Sequence, residues 1–150
     1  MAEVYFSLGS KLGDREQSLL CAIEEIGKRI GAVVRQSSFL VTKPEGFSSD
    51  NDFLNAAILV ETALTPEQCL TVTQQIEREM GRERKSLGGI HYDRPIDIDI
   101  LLYDDIHVQT PDLVIPHPRM LQRDFVMTPL REIAPHLSPT ALSADNCAVR

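Results

Sequence analysis

Tryptophan is absent from this 150-residue sequence, and cysteine is scarce. Cys21, Cys69 and Cys147 are odd in number and far apart, and no two of them form a C-x-x-C pair. This spacing argues against a disulfide framework and against a structural zinc site, and it is typical of a protein from a reducing compartment. We expect Cys21 and Cys69 to pack in the core, because both fall on apolar helical faces.

Long apolar runs are also missing. No stretch approaches the roughly 20 apolar residues that a membrane-spanning helix needs, and the first residues lack the basic and apolar regions of a signal peptide. These absences predict a cytoplasmic protein with no membrane partner. The length and the ordinary share of apolar residues predict a single domain over residues 1–150 with a proper core.

Positive charge is the third shortage, since 15 Lys and Arg residues stand against 22 Asp and Glu residues, a net charge of -7. A general nucleic-acid binder would present a basic face, so the balance argues against that class. The basic residues nevertheless gather in two stretches that could contact an anion, namely Arg78, Arg82, Arg84, Lys85 and Arg94, and then Arg119, Arg123 and Arg131. Solvent-exposed positions at helix ends explain Arg78 and Arg131 equally well.

Apolar periodicity and turn signals predict a β-α-β-β-α-β order of elements. The predicted elements are a strand at 4–8, a helix from the Asp14–Gln17 capping box to Gly31, strands at 33–42 and 53–62, a helix from Thr65 to Gly81 and a strand within 94–105. Polar segments at 43–52 and 82–93 are predicted loops. This order is that of a ferredoxin-like split βαβ fold. We therefore predict the α+β class, with an antiparallel sheet and both helices on one face.

Proline dominates the sequence after the last predicted strand. The prolines are Pro111, Pro116, Pro118, Pro129, Pro135 and Pro139. They leave room only for short helices near 119–123 and 129–133, so we expect an irregular C-terminal segment that covers the second face of the sheet. The small and polar residues 138–150 are typical of a disordered tail.

The stretch from Arg94 to Asp105 carries the strongest functional signal. Side chains alternate between the two faces of a strand, which predicts one face of Ile96, Ile98, Ile100 and Leu102 and another of Asp97, Asp99, Leu101 and Tyr103. The two carboxylates are then roughly 6–7 Å apart at Cα, and they resist joint ionisation unless a cation lies between them. Mg²⁺ is typically bound by one or two carboxylates, with waters and substrate phosphates. Asp97 and Asp99 are therefore candidate ligands of a metal–phosphate site.

The same alternation has an ordinary explanation. A half-buried strand with one solvated face also alternates apolar and acidic residues, and an isolated D-x-D pair is common. Asp is a poor strand former, however, so that two of them in mid-strand, shortly after Arg94, favour a function.

Several motifs occur together at separations that match one known family. They are Gly9-Ser10, Ser37-Ser38-Phe39, Phe53-Leu54-Asn55-Ala56-Ala57, Arg94-x-x-Asp97-x-Asp99, Pro116-His117-Pro118, Arg123-Asp124-Phe125, Pro129-Leu130 and Glu132-Ile133-Ala134-Pro135. From about residue 3 to residue 136 the sequence closely resembles the 6-hydroxymethyl-7,8-dihydropterin pyrophosphokinase (HPPK) family of folate biosynthesis. The resemblance implies transfer of the terminal diphosphate of ATP to the pterin hydroxymethyl oxygen, with release of AMP.

The resemblance also implies which residues bind ATP as co-substrate. Asp97 and Asp99 match carboxylates that hold two Mg²⁺ ions on the triphosphate. The residues that match phosphate contacts are Arg82, Arg84, Arg94, His117 and Arg123, and those that match other nucleotide contacts are Gln74, Glu77 and Ile98. The arginine fork suits phosphate oxygens. No P-loop G-x-x-x-x-G-K-[ST] pattern is present, so phosphate binding falls to arginine and metal.

On the pterin side, Asn55 interrupts an apolar strand, where an unpaired amide would be costly. The resemblance implies that this amide reads the edge of the pterin. The other residues that match contacts to the ring are Thr42, Pro44 and Gly46, through their backbone, and Phe53 and Phe125, through stacking. Asp97 also matches a residue of the pterin-binding set. For either Phe, a plain core position is the ordinary alternative.

Departures from the family pattern occur at three places. Lys11 and Glu45 stand where the family often has Asn and an apolar residue, and segment 88–92 replaces a Trp-Gly element found in some members. Two other classes remain open. A non-catalytic ferredoxin-like binding module would have no use for two aspartates together with the arginines, and another Mg²⁺-dependent transferase would release ADP or pyrophosphate instead of AMP. We expect a monomer whose partners are small molecules.

Overall fold

Strands and helices follow the predicted β-α-β-β-α-β order in a computed structural model that describes residues 1–10, 15–42, 53–85 and 96–136. The core elements are β1 (Ala2–Ser10), α1 (Arg15–Arg29), β2 (Gly31–Gln36), β3 (Leu40–Thr42), β4 (Phe53–Thr62), α2 (Pro66–Lys85) and β5 (Ile96–Tyr103). The C-terminal part adds β6 (Val108–Gln109), β7 (Val114–Ile115), a 3-10 turn (Met120–Gln122) and α3 (Asp124–Ile133). Predictions for the Asp14 cap, for loop 43–52, for 86–95 and for the tail lie outside the described residues.

The sheet is antiparallel throughout, with the strand order β2-β4-β1-β5 and with β3 continuing along β4 beyond β2. The first and third strands of the βαββαβ unit are therefore central, as in a ferredoxin-like fold. This topology confirms the predicted α+β class. Within the described part of the chain, no helix is both long and apolar enough to cross a membrane.

Two apolar clusters pack against the two faces of the sheet. On one face α1 and α2 cover side chains that include Phe6, Leu8, Ile58, Ile96, Ile98 and Ile100. On the other face α3 and the 3-10 turn cover Tyr5, Leu59, Leu101 and Leu102. The predicted core cysteine Cys69 is fully buried on the inner side of α2, where burial raises the pKa of its thiol to about 11, whereas Cys21 is only half-buried.

The C-terminal segment covers the second face as predicted, but it is more regular than predicted. α3 begins at Asp124 and contains Pro129, whereas the sequence predicted a helix that starts at this proline. A helical N–H at Pro129 would have bonded to the Phe125 carbonyl. The proline therefore costs the helix one hydrogen bond, whose acceptor lies in the first turn. Burial of Val126, Met127, Leu130 and Ile133 supplies the packing that holds the helix.

A β-bulge changes which residues of β5 face each cluster. The register between β1 and β5 shifts between Tyr5 and Phe6, which leaves Leu101 as the extra residue. Leu101 and Leu102 both join the cluster under α3, while Tyr103 packs on the opposite cluster and its hydroxyl donates to the Leu64 carbonyl at 2.6 Å. The predicted alternation is therefore wrong for Leu102 and Tyr103, because the extra residue of a bulge inverts the pattern beyond it.

The predicted second strand, 33–42, is in fact two strands. β2 and β3 both pair with β4, and they are separated at residues 37–39. The side chain of Ser37 stabilises the break, because its hydroxyl accepts from the Ala57 N–H and donates to the Ser38 carbonyl, both at 2.9 Å. A serine that bonds to nearby backbone in this way competes with the regular ladder.

Of the predicted helix ends, two differ from the structure in position or cause and one is confirmed. α2 does not stop at Gly81 but continues to Lys85, because a glycine can remain helical and the residues after it are good helix formers. α1 ends before Gly31 as predicted, but a Cβ at this glycine would lie 1.9 Å from the Glu61 carbonyl oxygen, so its role is to let β2 approach β4. The predicted capping box is confirmed, since Thr65 and Gln68 exchange two hydrogen bonds of 2.9 and 3.1 Å.

Candidate active site

On the sheet face under α3, the side chains become small or polar toward the end of β1. One row across this face consists of Asn55 on β4, Gly9 on β1 and Asp97 on β5. Neighbouring strands are ~4.8 Å apart, so Asn55 and Asp97 lie about 10 Å apart on the same face. Because the residue between them is glycine, no side chain fills the interval.

A second row lies beside the first and holds Ala57, Ser7 and Asp99. Ala57 and Ser7 are small and buried, whereas Asp99 is half-buried and Asp97 is exposed. Cross-strand partners point to the same face, so the two carboxylates and the Asn55 amide share one floor. Small residues on β1 leave the space above this floor open.

A cavity of about 360 Å³ occupies this space. Nine residues that the sequence singled out line it, namely Phe53, Asn55, Gln74, Glu77, Asp97, Ile98, Asp99, Arg123 and Phe125. Ser7, Gly9, Ser10 and Leu70 also line it, and the sequence did not predict them as site residues. The available signal was the succession of small residues at alternate positions of β1, which leaves one face of a central strand uncovered.

The Asn55 amide is held in one orientation by its neighbours. Its Nδ2 donates to the Thr42 hydroxyl at 2.8 Å, and the side chain is only 3% exposed. A Cβ at Gly9 would lie 3.0 Å from Asn55 Oδ1, so a larger residue at this position would press on the amide. Thr42, predicted to contact a ligand through its backbone, thus also positions the amide through its side chain.

Glu77 is a buried carboxylate that reaches the strand of the two aspartates. It lies on α2, is 6% exposed, and its Oε2 accepts from the Ile98 N–H at 2.7 Å. A carboxylate is buried at a large cost unless hydrogen bonds or charges compensate it. The sequence predicted a nucleotide contact for Glu77 and gave no indication of this bond, since it joins residues from separate elements.

Arg123 and Phe125 lie on either side of the first residue of α3, and both line the cavity. The guanidinium carbon of Arg123 lies 5.6 Å from the centre of the Phe125 ring, within the range of a cation–π contact. Both side chains are half-buried. The start of α3 therefore brings a cation and an aromatic face to the same wall.

His117 lines a neighbouring, smaller cavity of about 230 Å³, which shares Leu70, Ile98 and Asp99 with the larger one. Burial lowers the pKa of His117 below its ordinary value, against the opposing attraction of the Asp99 carboxylate. The Arg119 N–H donates to His117 Nδ1 at 3.2 Å. The neutral ring therefore carries its proton on Nε2, where it can donate to a ligand.

Other predicted site residues are placed only in part. Pro44, Gly46 and Arg94 lie outside the described residues. Arg82 and Arg84 were predicted in a loop, but their backbone forms the last turn of α2. This position is a correction to the loop prediction, and it connects both arginines to the helix that also carries Gln74 and Glu77.

The donor set on the floor suits a hard cation that shares its ligands with a substrate. Asp97 and Asp99 offer carboxylate oxygens, which Mg²⁺ prefers. Among the residues described, no group of three or more His, Cys, Asp or Glu side chains could hold a metal ion. A Mg²⁺ ion bound here would take one or two carboxylates and would complete its shell with water and phosphate oxygens.

Comparison with known proteins gives a consistent assignment. The chain matches the sequence family described as 7,8-dihydro-6-hydroxymethylpterin-pyrophosphokinase (HPPK) over residues 5–135. It is 51% identical over 142 residues to a 2-amino-4-hydroxy-6-hydroxymethyldihydropteridine pyrophosphokinase of Porphyromonas gingivalis, with 94% of this chain and 97% of that protein covered. A protein of the same name from Bacillus subtilis is 40% identical over 142 residues, with 94% of this chain and 83% of that protein covered.

Solved structures share the fold. A crystal structure described as HPPK-DHPS in complex with substrates has a TM-score of 0.73 at 14% identity, covering 93% of this chain and 41% of that one. Wild-type Plasmodium falciparum HPPK-DHPS with STZ-DHP has a TM-score of 0.74 at 16% identity, covering 97% of this chain and 42% of that one. At these identities the similarity concerns the fold alone. This chain spans about two fifths of those longer chains.

Proposed function

This chain belongs to the 7,8-dihydro-6-hydroxymethylpterin-pyrophosphokinase (HPPK) family and therefore transfers the diphosphate of ATP to the hydroxymethyl group of 6-hydroxymethyl-7,8-dihydropterin, and we propose that the reaction takes place in the cavity above Asn55, Gly9 and Asp97. One observation carries the proposal. An oriented amide and two carboxylates share one sheet face, separated by a glycine. Such a floor can hold a flat polar ring at one end and a metal-bound phosphate chain at the other.

The pterin ring binds at the Asn55 end of the floor. One N–H of the amide donates to the Thr42 hydroxyl. The carbonyl oxygen and the second N–H remain to pair with polar groups on the ring edge. Phe53 and Phe125, which line the same cavity, stack on the ring faces. Backbone groups of Thr42, Pro44 and Gly46 complete the recognition. This arrangement puts the hydroxymethyl group toward Asp97.

The triphosphate binds at the other end. Asp97 and Asp99 would hold two Mg²⁺ ions, which would neutralise the phosphate charge and polarise the reacting oxygens. The residues that contact the phosphates are Arg82, Arg84, Arg94, Arg123 and His117, the last as a neutral donor through Nε2. Arginine pairs bidentately with phosphate oxygens. The adenosine part of ATP extends past Asp99 into the smaller cavity, with Gln74 and Ile98 along its path.

Catalysis rests on positioning and charge neutralisation. The pterin hydroxymethyl oxygen attacks the β-phosphorus in line with the bridging oxygen between the α- and β-phosphates. The new O–P bond forms as the bond to that bridging oxygen breaks, AMP leaves, and the hydroxyl proton passes to solvent water. Asn55, Phe53 and Phe125 orient the nucleophile, and the arginines hold the leaving group and the transferred diphosphate. The bound substrates must exclude water from the cavity, because water would otherwise hydrolyse ATP.

We further propose that the chain acts as a monomeric, single-domain cytoplasmic enzyme with no nucleic-acid partner. The acidic net charge of -7 is in line with small-molecule substrates. Size-exclusion chromatography with light scattering at working concentrations tests the monomer. A mass of twice the chain mass would contradict it.

The decisive test of the reaction is the identity of the released nucleotide. Protein, ATP, Mg²⁺ and the reduced hydroxymethylpterin are incubated together, and the products are separated by ion-exchange chromatography. We expect AMP and pterin diphosphate in equal amounts, and almost no AMP in a control without pterin. Release of ADP would indicate monophosphoryl transfer, and release of pyrophosphate would indicate nucleotidyl transfer.

A further inference from the structure

The buried Glu77 carboxylate occupies an unusual place in the fold. It projects from α2, whose neighbouring buried positions are filled by Cys69, Thr73 and Ile76. Its Oε2 accepts from the Ile98 N–H at 2.7 Å. Burying a carboxylate costs free energy that its hydrogen bonds and charge partners must offset, so packing alone would favour an apolar side chain here. A third carboxylate beside two aspartates adds repulsion. Its presence therefore needs a function.

Strand β5 lies at the edge of the sheet. In the described part of the chain β1 is its only strand partner, and Ile98 lies opposite Leu8 of β1. In an antiparallel pair, every second residue directs its N–H away from the partner strand. The Ile98 N–H is one of these groups, and Glu77 takes the place of the missing neighbour strand.

The position of this bond in the sequence is informative. Ile98 lies between Asp97 and Asp99, and the two peptide units that meet at its Cα end at the Cα atoms that carry the two carboxylate side chains. An edge strand that lacks a partner can fray or twist, and such motion would change the separation of the two carboxylates. Fixing the Ile98 N–H removes that freedom.

We propose that Glu77 is a positioning residue that clamps β5 through the Ile98 amide and so sets the spacing of the Asp97 and Asp99 carboxylates for metal-bound ATP. This inference rests on the proposed function of the two aspartates. The clamp also connects β5 to α2, whose last turn carries the backbone of Arg82 and Arg84. One helix thereby fixes the metal-binding strand and presents the arginine segment.

The test compares Glu77→Leu, which removes the acceptor, with Glu77→Gln, which keeps a weaker, neutral one. Glu79→Gln is the matched control, because Glu79 lies on the same helix but is exposed and pairs with Arg29. Two quantities are measured. The first is the hydrogen-exchange rate of the Ile98 amide in the free protein by NMR, and the second is the Mg²⁺ concentration that half-saturates turnover.

In Glu77→Leu we expect both quantities to rise by at least about tenfold, the effect of losing a hydrogen bond to a charged acceptor. Glu77→Gln should raise both quantities together but by less than Glu77→Leu, and Glu79→Gln should change neither. If Glu77→Leu does not fold, Glu77→Gln decides alone, since its exchange rate and its Mg²⁺ requirement must rise together. A raised Mg²⁺ requirement with unchanged Ile98 exchange would overturn the clamp, as would fast exchange with an unchanged requirement. The exchange measurement uses free protein, so it does not depend on which nucleotide the wild-type enzyme releases.

Discussion

The face of the sheet under α3 has two halves that use the same strands differently. The core half contains Tyr5, Leu59, Leu101 and Leu102, which are buried against the apolar side of α3. The site half, a few residues away along the strands, contains Ser7, Gly9, Asn55, Asp97 and Asp99, which line an open cavity. The first half buries apolar area, and the second gives up such burial to expose polar groups.

The bulge at Leu101 marks the boundary between the halves on β5. Before it, the alternation of the strand directs Asp97 and Asp99 to the cavity, whereas Leu101 itself and Leu102 both pack under α3. The difference teaches that stability and activity come from adjacent but separate parts of one surface. Substitutions should therefore separate the two properties.

The largest effect should come from the two aspartates of the site half. Asp97→Asn or Asp99→Asn removes a charged metal ligand with little change in shape, and loss of several kcal/mol of metal stabilisation lowers kcat/KM by roughly a thousandfold. Urea unfolding should be unchanged. Asp105→Asn, an exposed carboxylate just beyond the same strand, serves as the control for both measurements. Near-normal turnover at saturating Mg²⁺ would remove the metal role.

The core half should show the opposite behaviour. Leu59→Ala leaves a cavity beneath α3 and should lower the free energy of unfolding by about 2–5 kcal/mol, with kcat and KM unchanged at temperatures where the variant is folded. Denaturant unfolding and steady-state kinetics on the same sample check both parts. Leu121→Ala is the comparison, since this leucine is 38% exposed. A loss of turnover in the folded Leu59 variant would show that the halves are not separable.

Asn55→Ala should weaken pterin binding roughly 10- to 100-fold, because polar groups of the ring would be left unpaired in a buried site. Phe125→Ala should act in the same direction by removing a stacking face. Titration calorimetry with the pterin, in the presence of Mg²⁺ and a non-hydrolysable ATP analogue, measures the change. A larger loss for the ATP analogue than for the pterin would assign the two ends of the floor in the wrong order.

A smaller effect should follow from freeing the Asn55 amide. Thr42→Val removes the hydroxyl that accepts from Asn55 Nδ2, and the loss of one neutral hydrogen bond should weaken pterin binding by roughly two- to tenfold. Thr42→Ser keeps the hydroxyl and should restore the affinity. Equal affinities in the Val and Ser variants would mean that the amide does not need this partner.

The smallest effect concerns the far end of α3. Glu132 Oε1 accepts from the Ser38 hydroxyl and N–H at 2.7 and 2.9 Å, which lowers the pKa of Glu132 below its ordinary value. Because the folded pKa is depressed, the stabilisation is present above the unfolded pKa and is lost as the pH falls through the folded one. Wild type and Glu132→Gln should therefore differ slightly in free energy of unfolding at neutral pH and converge in acid. A difference that does not depend on pH would contradict the charged interaction.

The main elements of the fold were predictable because each carries a local signal. The Thr65–Gln68 capping box and the apolar periodicity of the two long helices identify them directly, and the order of elements then selects the topology. The errors occur where tertiary contacts decide. The bulge at Leu101 depends on pairing with β1, and α3 continues across Pro129 because its apolar side is buried against the sheet. The ribbon of β6 and β7 is too short to give a pattern.

The residues of the candidate site also fall into those with a local signal in the sequence and those that depend on tertiary contacts. Asp97, Asp99 and Asn55 are polar residues in strand-like runs, and such exceptions can be read from the sequence. The small residues at alternate positions of β1, such as Ser7, give only an indirect signal, and Leu70 gives none, because an apolar residue becomes part of a site only through the strand or helix beside it. The bond from Glu77 to Ile98 joins α2 to β5, so no spacing in the sequence could have predicted it.

The central claim is that pterin and metal-bound ATP meet above the row of Asn55, Gly9 and Asp97. A crystal structure of the complex with Mg²⁺, a non-hydrolysable ATP analogue and the pterin tests it most directly. The account predicts that the ring lies against Asn55, that Asp97 and Asp99 ligate the metal, and that the hydroxymethyl oxygen points to the β-phosphorus. A ring bound outside this cavity, or a metal ligated by neither aspartate, would contradict it.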